Sequence, residues 1–338
     1  MRDVRAVWIT WERQPRNRGV ANALGAELFE VDVRAPRFRR YVLALRETVR
    51  ILRRTRPQVV IVQNPSLILT CFAVMWGRVR GVPVVVDAHN VGVIPEGDRP
   101  TPIALVAAIA RNASMTIVSN PSLAARIRQY GGRSFVLPDA IPDLPAGRPQ
   151  KQLSGSIRVL FICTYQHDEP YEAVIKAARQ LDDGVTIYVT GNPKEKAESL
   201  RKIAPPNVIF TGYLPEEDYV GLLRQVDVVV DLTLLDNCLV CGAYEAVAAG
   251  KPMVLSDWPE SNAYFSRGTV PTDNTENGIA ASIRQAVTER RRLTDEVNSL
   301  REELIQDWSN RRESLEQELR ALVRRSQKND GLATPPTK

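Results

Sequence analysis

The chain has 338 residues, 44% hydrophobic and 25% charged, the balance of a water-soluble globular protein of about two domains. That balance excludes collagen-like, disordered and disulfide-scaffold classes, and no apolar run approaches the roughly 18 residues that span a bilayer. The formal charge of +6 is unevenly divided: residues 1–150 hold 22 arginines, no lysine and 11 acids, a net of +11, while the remainder carries −5. The first half is therefore expected to face something anionic, such as phosphate, lipid headgroups or nucleic acid. No secretory pattern opens the chain, and its four cysteines form no disulfide framework, so a cytoplasmic location is expected.

In chain order, Val4–Thr10 reads as a buried strand, Arg16–Leu24 as a helix and Glu27–Val33 as a strand. Phe38, Tyr41, Val42, Leu45, Val49 and Leu52 recur at spacings of three and four, which makes an amphipathic helix. Gln58–Gln63 and Pro83–Asp87 are apolar strands with a helix over Leu67–Val79 between them. A helix over Ile103–Asn112 and strands over Met115–Ser119 and Ser134–Pro138 follow. Continuous apolar strands alternating with helices imply a parallel sheet covered on both faces.

Residues 139–156 read as a linker, with four Gly or Pro between Pro142 and Gln150. The pattern then restarts. Strands are expected at Arg158–Cys163, Thr186–Thr190, Val208–Thr211, Val228–Leu232 and Pro252–Ser256. Helices are expected at Tyr171–Leu181, Lys194–Ile203, Glu216–Gln225 and Ala243–Ala249. The charged stretch from Gly278 to Arg325 carries apolar residues from Ile283 to Leu322 at helical spacing, with a break expected near Asp307–Asn310. The expected organisation is an N-terminal domain over 1–145, a second over 156–280, packed helices over 281–325 and a disordered tail over 326–338. The fold class is α/β: two doubly wound Rossmann-like domains facing across a cleft, with ligands at the strand C-termini.

Asp236–Met253 is the most informative stretch. An acidic loop after a strand leads to Gly242, which opens a helix that Gly250-Lys251-Pro252 ends. A helix N-terminus offers unpaired N–H groups and a positive dipole end, suited to a diphosphate. Glu245, one turn in, can accept two ribose hydroxyls or simply stabilise its own helix start.

Here the residues carry a resemblance. Val208–Ser256 resembles the donor half of GT-B glycosyltransferases of family 4, whose signature is two glutamates eight positions apart, a small-residue helix and Gly-(Lys/Thr)-Pro. Glu245 and Gly250-Lys251-Pro252 match it, while the first glutamate falls on Asn237, a departure. The resemblance implies that Glu245 holds the nucleotide ribose and that position 237 faces the transferred sugar. Gln63-Asn64-Pro65-Ser66, Gly81–Asp87 running into Ala88-His89-Asn90 with Gly92, Val136–Asp139 and Thr164–Glu169 are similar to the cytosolic β-mannosyltransferases of lipid-linked oligosaccharide assembly. Together these imply a metal-independent hexosyltransferase that takes a UDP- or GDP-linked sugar as substrate, needs no cofactor, and serves a lipid-linked or cell-surface glycan acceptor. One resemblance is to retaining enzymes and the other to inverting ones.

The candidate site follows from these segments. His89 ends a strand and can bond a sugar hydroxyl, relay a proton or only fix its loop. Asp168 is either a base or the cap of the helix that follows it. Family 4 enzymes carry an Arg and a Lys near here for the diphosphate, and Cys163–Pro170 holds neither. Candidates for that charge are the amides of Leu239, Val240, Cys241 and Gly242, and Arg13, Arg16 or Arg18. Thr164, Tyr165, Gly191, Tyr213 and Leu214 are expected around the nucleotide, and Asn90 near the acceptor. Cys238 and Cys241 lack the further ligands a zinc site needs, and Asp182-Asp183 sits in a turn unsuited to a metal motif, so no metal is expected. Arg34–Arg56 carries nine arginines and one acid, either a solvated face or one for anionic lipid at the inner face of a membrane. The same fold also serves nucleotide-sugar 2-epimerases, and Asn237 raises an inactive pseudo-transferase. Nucleic-acid binding is disfavoured because the basic helix lacks interleaved aromatics.

Overall fold

The computed structural model describes residues 3–64, 66–94, 103–150 and 152–332. The chain divides into two compact units, one formed by 1–140 with 307–338 and the other by 141–306. In the first unit the order is β1 (Ala6–Thr10), α1 (Pro15–Leu24), β2 (Glu27–Glu30), α2 (Arg37–Thr55), β3 (Val59–Asn64), α3 (Leu67–Arg80), β4 (Val84–Ala88), α4 (Asn90–Val93), α5 (Ile103–Asn112), β5 (Met115–Val118), α6 (Pro121–Gln129) and β6 (Ser134–Val136). Its six strands pair in parallel as β2-β1-β3-β4-β5-β6.

The second unit runs β7 (Ile157–Phe161), α7 (Tyr171–Ala177), β8 (Val185–Thr190), α8 (Ala197–Ile203), β9 (Val208–Gly212), α9 (Glu216–Gln225), β10 (Val228–Asp231), α10 (Cys241–Ala249), β11 (Met253–Ser256), α11 (Pro259–Tyr264), β12 (Thr269–Thr272) and α12 (Glu276–Thr288). Its parallel sheet is ordered β12-β11-β10-β7-β8-β9. Helix α13 (Arg290–Leu332) ends the described chain.

Each sheet is buried on both faces, which is why its strands are β-branched on both sides rather than alternating. In the first unit, Val60, Val62 and Val86 pack under Ala44, Ile51 and Leu52 of α2 and Leu69, Ala73 and Val74 of α3. On the opposite face, Trp8, Ile61, Val85 and Ile117 meet Val20 and Leu24 of α1 and Leu315, Leu319 and Leu322 of α13. The direction of strand succession reverses between β1 and β3 here, and between β7 and β10 in the second unit. A doubly wound sheet opens at such a reversal, beyond the strand C-termini, because the helices on either side diverge to opposite faces.

Two expectations are corrected. The C-terminal helix is continuous through Asp307–Asn310, and the interruption falls earlier, at Glu289 between α12 and α13. No Gly or Pro lies between 290 and 330, and Arg311 Nε bonds Asp307 Oδ2 at 2.6 Å across the expected break. The tail is helical as far as Leu332, and the rest of it, 333–338, lies outside the described residues. The segment expected to be a linker is irregular but anchored on the second unit: Arg148 N–H donates to Glu217 O at 2.7 Å and Gln150 N–H to Gln225 Oε1 at 2.6 Å.

Candidate functional site

At the β1–β3 opening of the first unit, a polar cluster is built on Gln63, which is only 2% exposed at the end of β3. Its Oε1 lies 2.5 Å from Thr10 Oγ1 and 2.7 Å from Asn17 Nδ2. Its Nε2 lies 2.5 Å from Gln14 Oε1 and 2.9 Å from His89 Nε2. His89 precedes the short α4 and is half-buried, and Asn90 begins that helix. Beside them Arg16 is clamped: Nη2 reaches Asp87 at 2.9 Å and the Leu137 carbonyl at 3.0 Å, and Nη1 meets Asp139. Burial opposes the Arg16 charge, but the two carboxylates outweigh it and raise its proton affinity above the usual arginine range. Arg13 and Arg18 are exposed, each against one acid, Asp32 at 3.4 Å and Glu30 at 2.8 Å. A pocket of about 300 Å³ lies along the same edge, lined by Trp11, Asp32, Arg40, Tyr41, Ser66 and Ile68 among others.

In the second unit, the opening between β7 and β10 is roofed by the start of α10. Asp231 ends β10 and accepts the Gly242 N–H at 2.7 Å. A Cβ at Gly242 would stand 2.5 Å from both Asp231 Oδ2 and Ile162 Cδ1, so a larger residue here would push both side chains aside. Burial pushes the Asp231 carboxyl well up, the Gly242 bond lowers it in part, and nearby Glu169, Glu245 and Asp168 raise it further. Glu245, one turn into α10, is also raised by burial, and it accepts the hydroxyl of Tyr219 from α9. Glu169 closes the loop after β7, taking the amides of Thr164 and Gln166 at 3.0 Å and the Thr164 hydroxyl at 2.7 Å.

The structure thus brings Thr164, Asp168, Gly242 and Glu245 to one opening. Asp168 does not cap α7: that helix has no side-chain cap and follows Pro170, while the Asp168 carbonyl accepts Leu234 N–H at 2.7 Å. Leu239 and Asn237 are buried in the loop before α10, with Val240 half-buried and Cys241 exposed at its first position. Tyr165 turns inward at φ +61°, with its carbonyl held by Lys196 Nζ at 2.7 Å. Gly191 is required by the fold itself, since a Cβ there would collide with the Cys163 carbonyl oxygen. Tyr213 and Leu214 follow the edge strand β9, with Tyr213 81% exposed. Among the described residues, no group of three or more His, Cys, Asp or Glu is placed to hold a metal ion.

Two family descriptions match the chain, one on each half: a glycosyl transferase 4-like domain over 2–138 and glycosyl transferases group 1 over 156–289. The chain belongs to the GT-B glycosyltransferases. No curated protein matches its sequence. Solved structures share the fold at low identity. HepE of Anabaena, in complex with UDP and glucose, superposes with a TM-score of 0.72 at 12% identity, over 94% of this chain and 99% of that one. Sucrose-phosphate synthase of Thermosynechococcus elongatus gives 0.76 at 14%, over 94% and 99%. A putative UDP-N-acetylglucosamine 2-epimerase of Listeria monocytogenes gives 0.58 at 13%, over 86% and 90%.

Gln63, Asp231, Glu169 and Tyr219 were not expected at a site. Asp231 had a readable signal, an acid closing a Val-Val-Val run at a strand C-terminus. The partnerships of Gln63 and Tyr219 had none, because they join residues 26 or more positions apart.

Proposed function

We propose that this glycosyltransferase moves a hexosyl group from a UDP- or GDP-linked sugar to a hydroxyl of a lipid-linked or cell-surface glycan precursor, without a metal. The carrying observation is the start of α10, where the helix N-terminus, the close Gly242 approach and the Glu245 carboxylate lie at the opening of the second sheet. The diphosphate would take the positive end of α10. Glu245, oriented by Tyr219, would take the ribose hydroxyls. Asn237 would face the transferred sugar, and Thr164, Leu239, Val240 and Cys241 would flank the nucleotide. HepE, which shares the fold, is seen with UDP and glucose, in keeping with a uridine nucleotide here.

The first unit would take the acceptor, with His89 and Asn90 contacting hydroxyls and Arg13 and Arg18 meeting phosphate. Asp168, whose side chain makes no hydrogen bond within the described chain, is the candidate base if the reaction inverts. The Trp11–Tyr41 pocket suits a saccharide, offering aromatic faces beside Arg40 and Asp32. Positioning and electrostatic stabilisation of the leaving diphosphate would supply most of the rate.

The lipid-linked acceptor is supported by the outer face of α2. Arg46, Arg50 and Arg53 rim an open groove floored by Val42, Leu45 and Val49, about 530 Å³ in volume. Helix α3, on the same face of the sheet, exposes Met75 and Val79. Apolar residues beside arginines suit docking on an anionic membrane surface, with the protein peripheral at its cytoplasmic side. No helix of the described chain is long and apolar enough to cross a membrane.

Thermal unfolding with UDP, GDP, dTDP and CMP tests the donor site. A ligand at about 100 times its dissociation constant adds roughly 2.7 kcal/mol. One nucleoside diphosphate should stabilise the wild type, and Glu245→Ala should lose most of that gain. No stabilisation by any of them would overturn the reading.

A further inference from the structure

The Gln63 amide has a definite direction. Asn17 is fully buried, its Nδ2 donates to Gln63 Oε1, and its Oδ1 has no partner. Turning the Gln63 amide over would force Asn17 to turn with it, leaving a buried NH2 with nothing to bond. An unpaired carbonyl oxygen is the more tolerable state, because unpaired buried N–H groups are the rarer and costlier kind. Thr10 Oγ1 accepts Glu12 N–H at 3.0 Å, and its proton has two acceptors in reach, Glu12 O at 2.8 Å and Gln63 Oε1 at 2.5 Å. With Oε1 turned to Asn17, Gln63 Nε2 spends one proton on Gln14 Oε1 and has the other for His89 Nε2, 2.9 Å away.

We infer that Gln63 sets the tautomer of His89: in the neutral ring, the Nε2 lone pair accepts from the Gln63 amide and the proton sits on Nδ1. Gln63 is a positioning residue, acting only through His89. The Nδ1–H is then the group His89 offers a ligand, and it suits an acceptor atom such as a sugar or phosphate oxygen. His89 therefore serves as a hydrogen-bond donor, and Nε2 is not available as a base. This consequence rests on the transferase reading, whereas the tautomer itself belongs to the ligand-free protein.

The chain has only two histidines, so long-range ¹H–¹⁵N spectra of the labelled full-length protein read the answer without any substrate. His167→Gln, at an exposed position, assigns the signals. At alkaline pH, His89 should show a protonated Nδ1 and an unprotonated Nε2. Gln63→Glu, whose carboxylate can only accept, should move the proton to Nε2, and Gln63→Leu should give a mixture of both tautomers. A wild-type ring protonated on Nε2 overturns the inference, as does a tautomer unchanged in a folded Gln63→Glu protein. Since no nucleotide is present, failure here would leave the donor-site result standing, and the reverse.

Discussion

Replacing Arg16 separates a structural role from a ligand-binding one. Its guanidinium is 8% exposed, and Asp87, its closest partner apart from Asp139, is 1% exposed. In Arg16→Met the methionine fills part of the volume, but Asp87 keeps a buried negative charge with no cation. Removing one member of a buried pair costs about 3–5 kcal/mol, several times the value of an exposed pair, because the surviving charge is neither hydrated nor matched. For units of this size, 1 kcal/mol moves the midpoint by roughly 2–4 °C, so a fall of roughly 6–20 °C is expected. Adding Asp87→Asn should restore much of the loss, since the orphan charge disappears while the side-chain shape is nearly kept. The assay is urea and thermal unfolding of the two single variants and the double variant, followed by fluorescence. A loss below about 1 kcal/mol in Arg16→Met, or no recovery in the double variant, would refute the clamp. Such a result paired with weakened ligand binding would return Arg16 to the phosphate role that its place in the first loop suggests.

Other outcomes follow from the same geometry. Burial raises the Asp231 carboxyl in the folded chain, so the native state holds a proton that the unfolded chain releases in the ordinary carboxylate range. Its contribution is fully present below that range and is lost as pH rises towards the folded value. Asp231→Asn, which can still accept Gly242 N–H, should match the wild type in acid and exceed it increasingly as pH rises above the ordinary carboxylate range; equal stability throughout would sink the argument. Gly191→Ala and Gly212→Ala both place a side chain at positive φ, about 1–2 kcal/mol each. Only the former meets Cys163, so it should cost about 1–3 kcal/mol more in denaturant unfolding. Neutralising Arg46, Arg50 and Arg53 to Gln should weaken flotation on anionic vesicles about a hundredfold, at about 1 kcal/mol per arginine, and indifference to lipid charge would exclude that surface. Turnover should survive EDTA, so an absolute need for added Mn²⁺ would exclude the metal-free reading.

Much of the fold was legible in the sequence because parallel sheets buried on both faces leave continuous β-branched runs, such as Val59–Val62 and Val228–Val230. Helix α9 is found at the expected bounds, where Pro215 precedes it and three acids fill its first turn. Elements that escaped notice are short or carry mixed signals. Helix α6 begins with a readable start, Asn120 capping Leu123 N–H at 3.0 Å before Pro121, yet its apolar positions are few. Strand β12 contains Pro271, which counts against a strand except at a sheet edge, and β12 is an edge. The site was half legible. Gly242 and Glu245 sit in one motif and could be read together. The Gln63 cluster joins three strand ends and a helix start, so its partners share no local spacing, and only the folded sheet reveals them.

The two openings have the same topology and opposite chemistry, which bears on how the labour is divided. In the first unit the Gln63 cluster presents amides, a hydroxyl and an imidazole, and Arg16 beside it is consumed by Asp87 and Asp139. Groups of that kind discriminate hydroxyl patterns, and they neither attract nor repel a charged ligand strongly. In the second unit the strand ends present carboxylates, and two of them, Asp231 and Glu245, are raised by burial. A diphosphate arriving beside ionised carboxylates would be repelled, and the helix dipole, roughly half a charge, offsets only part of that. A raised Asp231 carboxyl lessens that repulsion, and its Oδ2 accepts the Gly242 N–H. At the proposed donor site, the raised Asp231 carboxyl would offset in part the missing Arg and Lys of Cys163–Pro170. On this argument Asp231→Asn should bind a nucleoside diphosphate with a flatter pH dependence than the wild type, which loses affinity as pH rises and its carboxyl ionises. Equal pH dependence of nucleotide binding in both proteins, measured by calorimetry, would remove Asp231 from the account and require another source of positive charge.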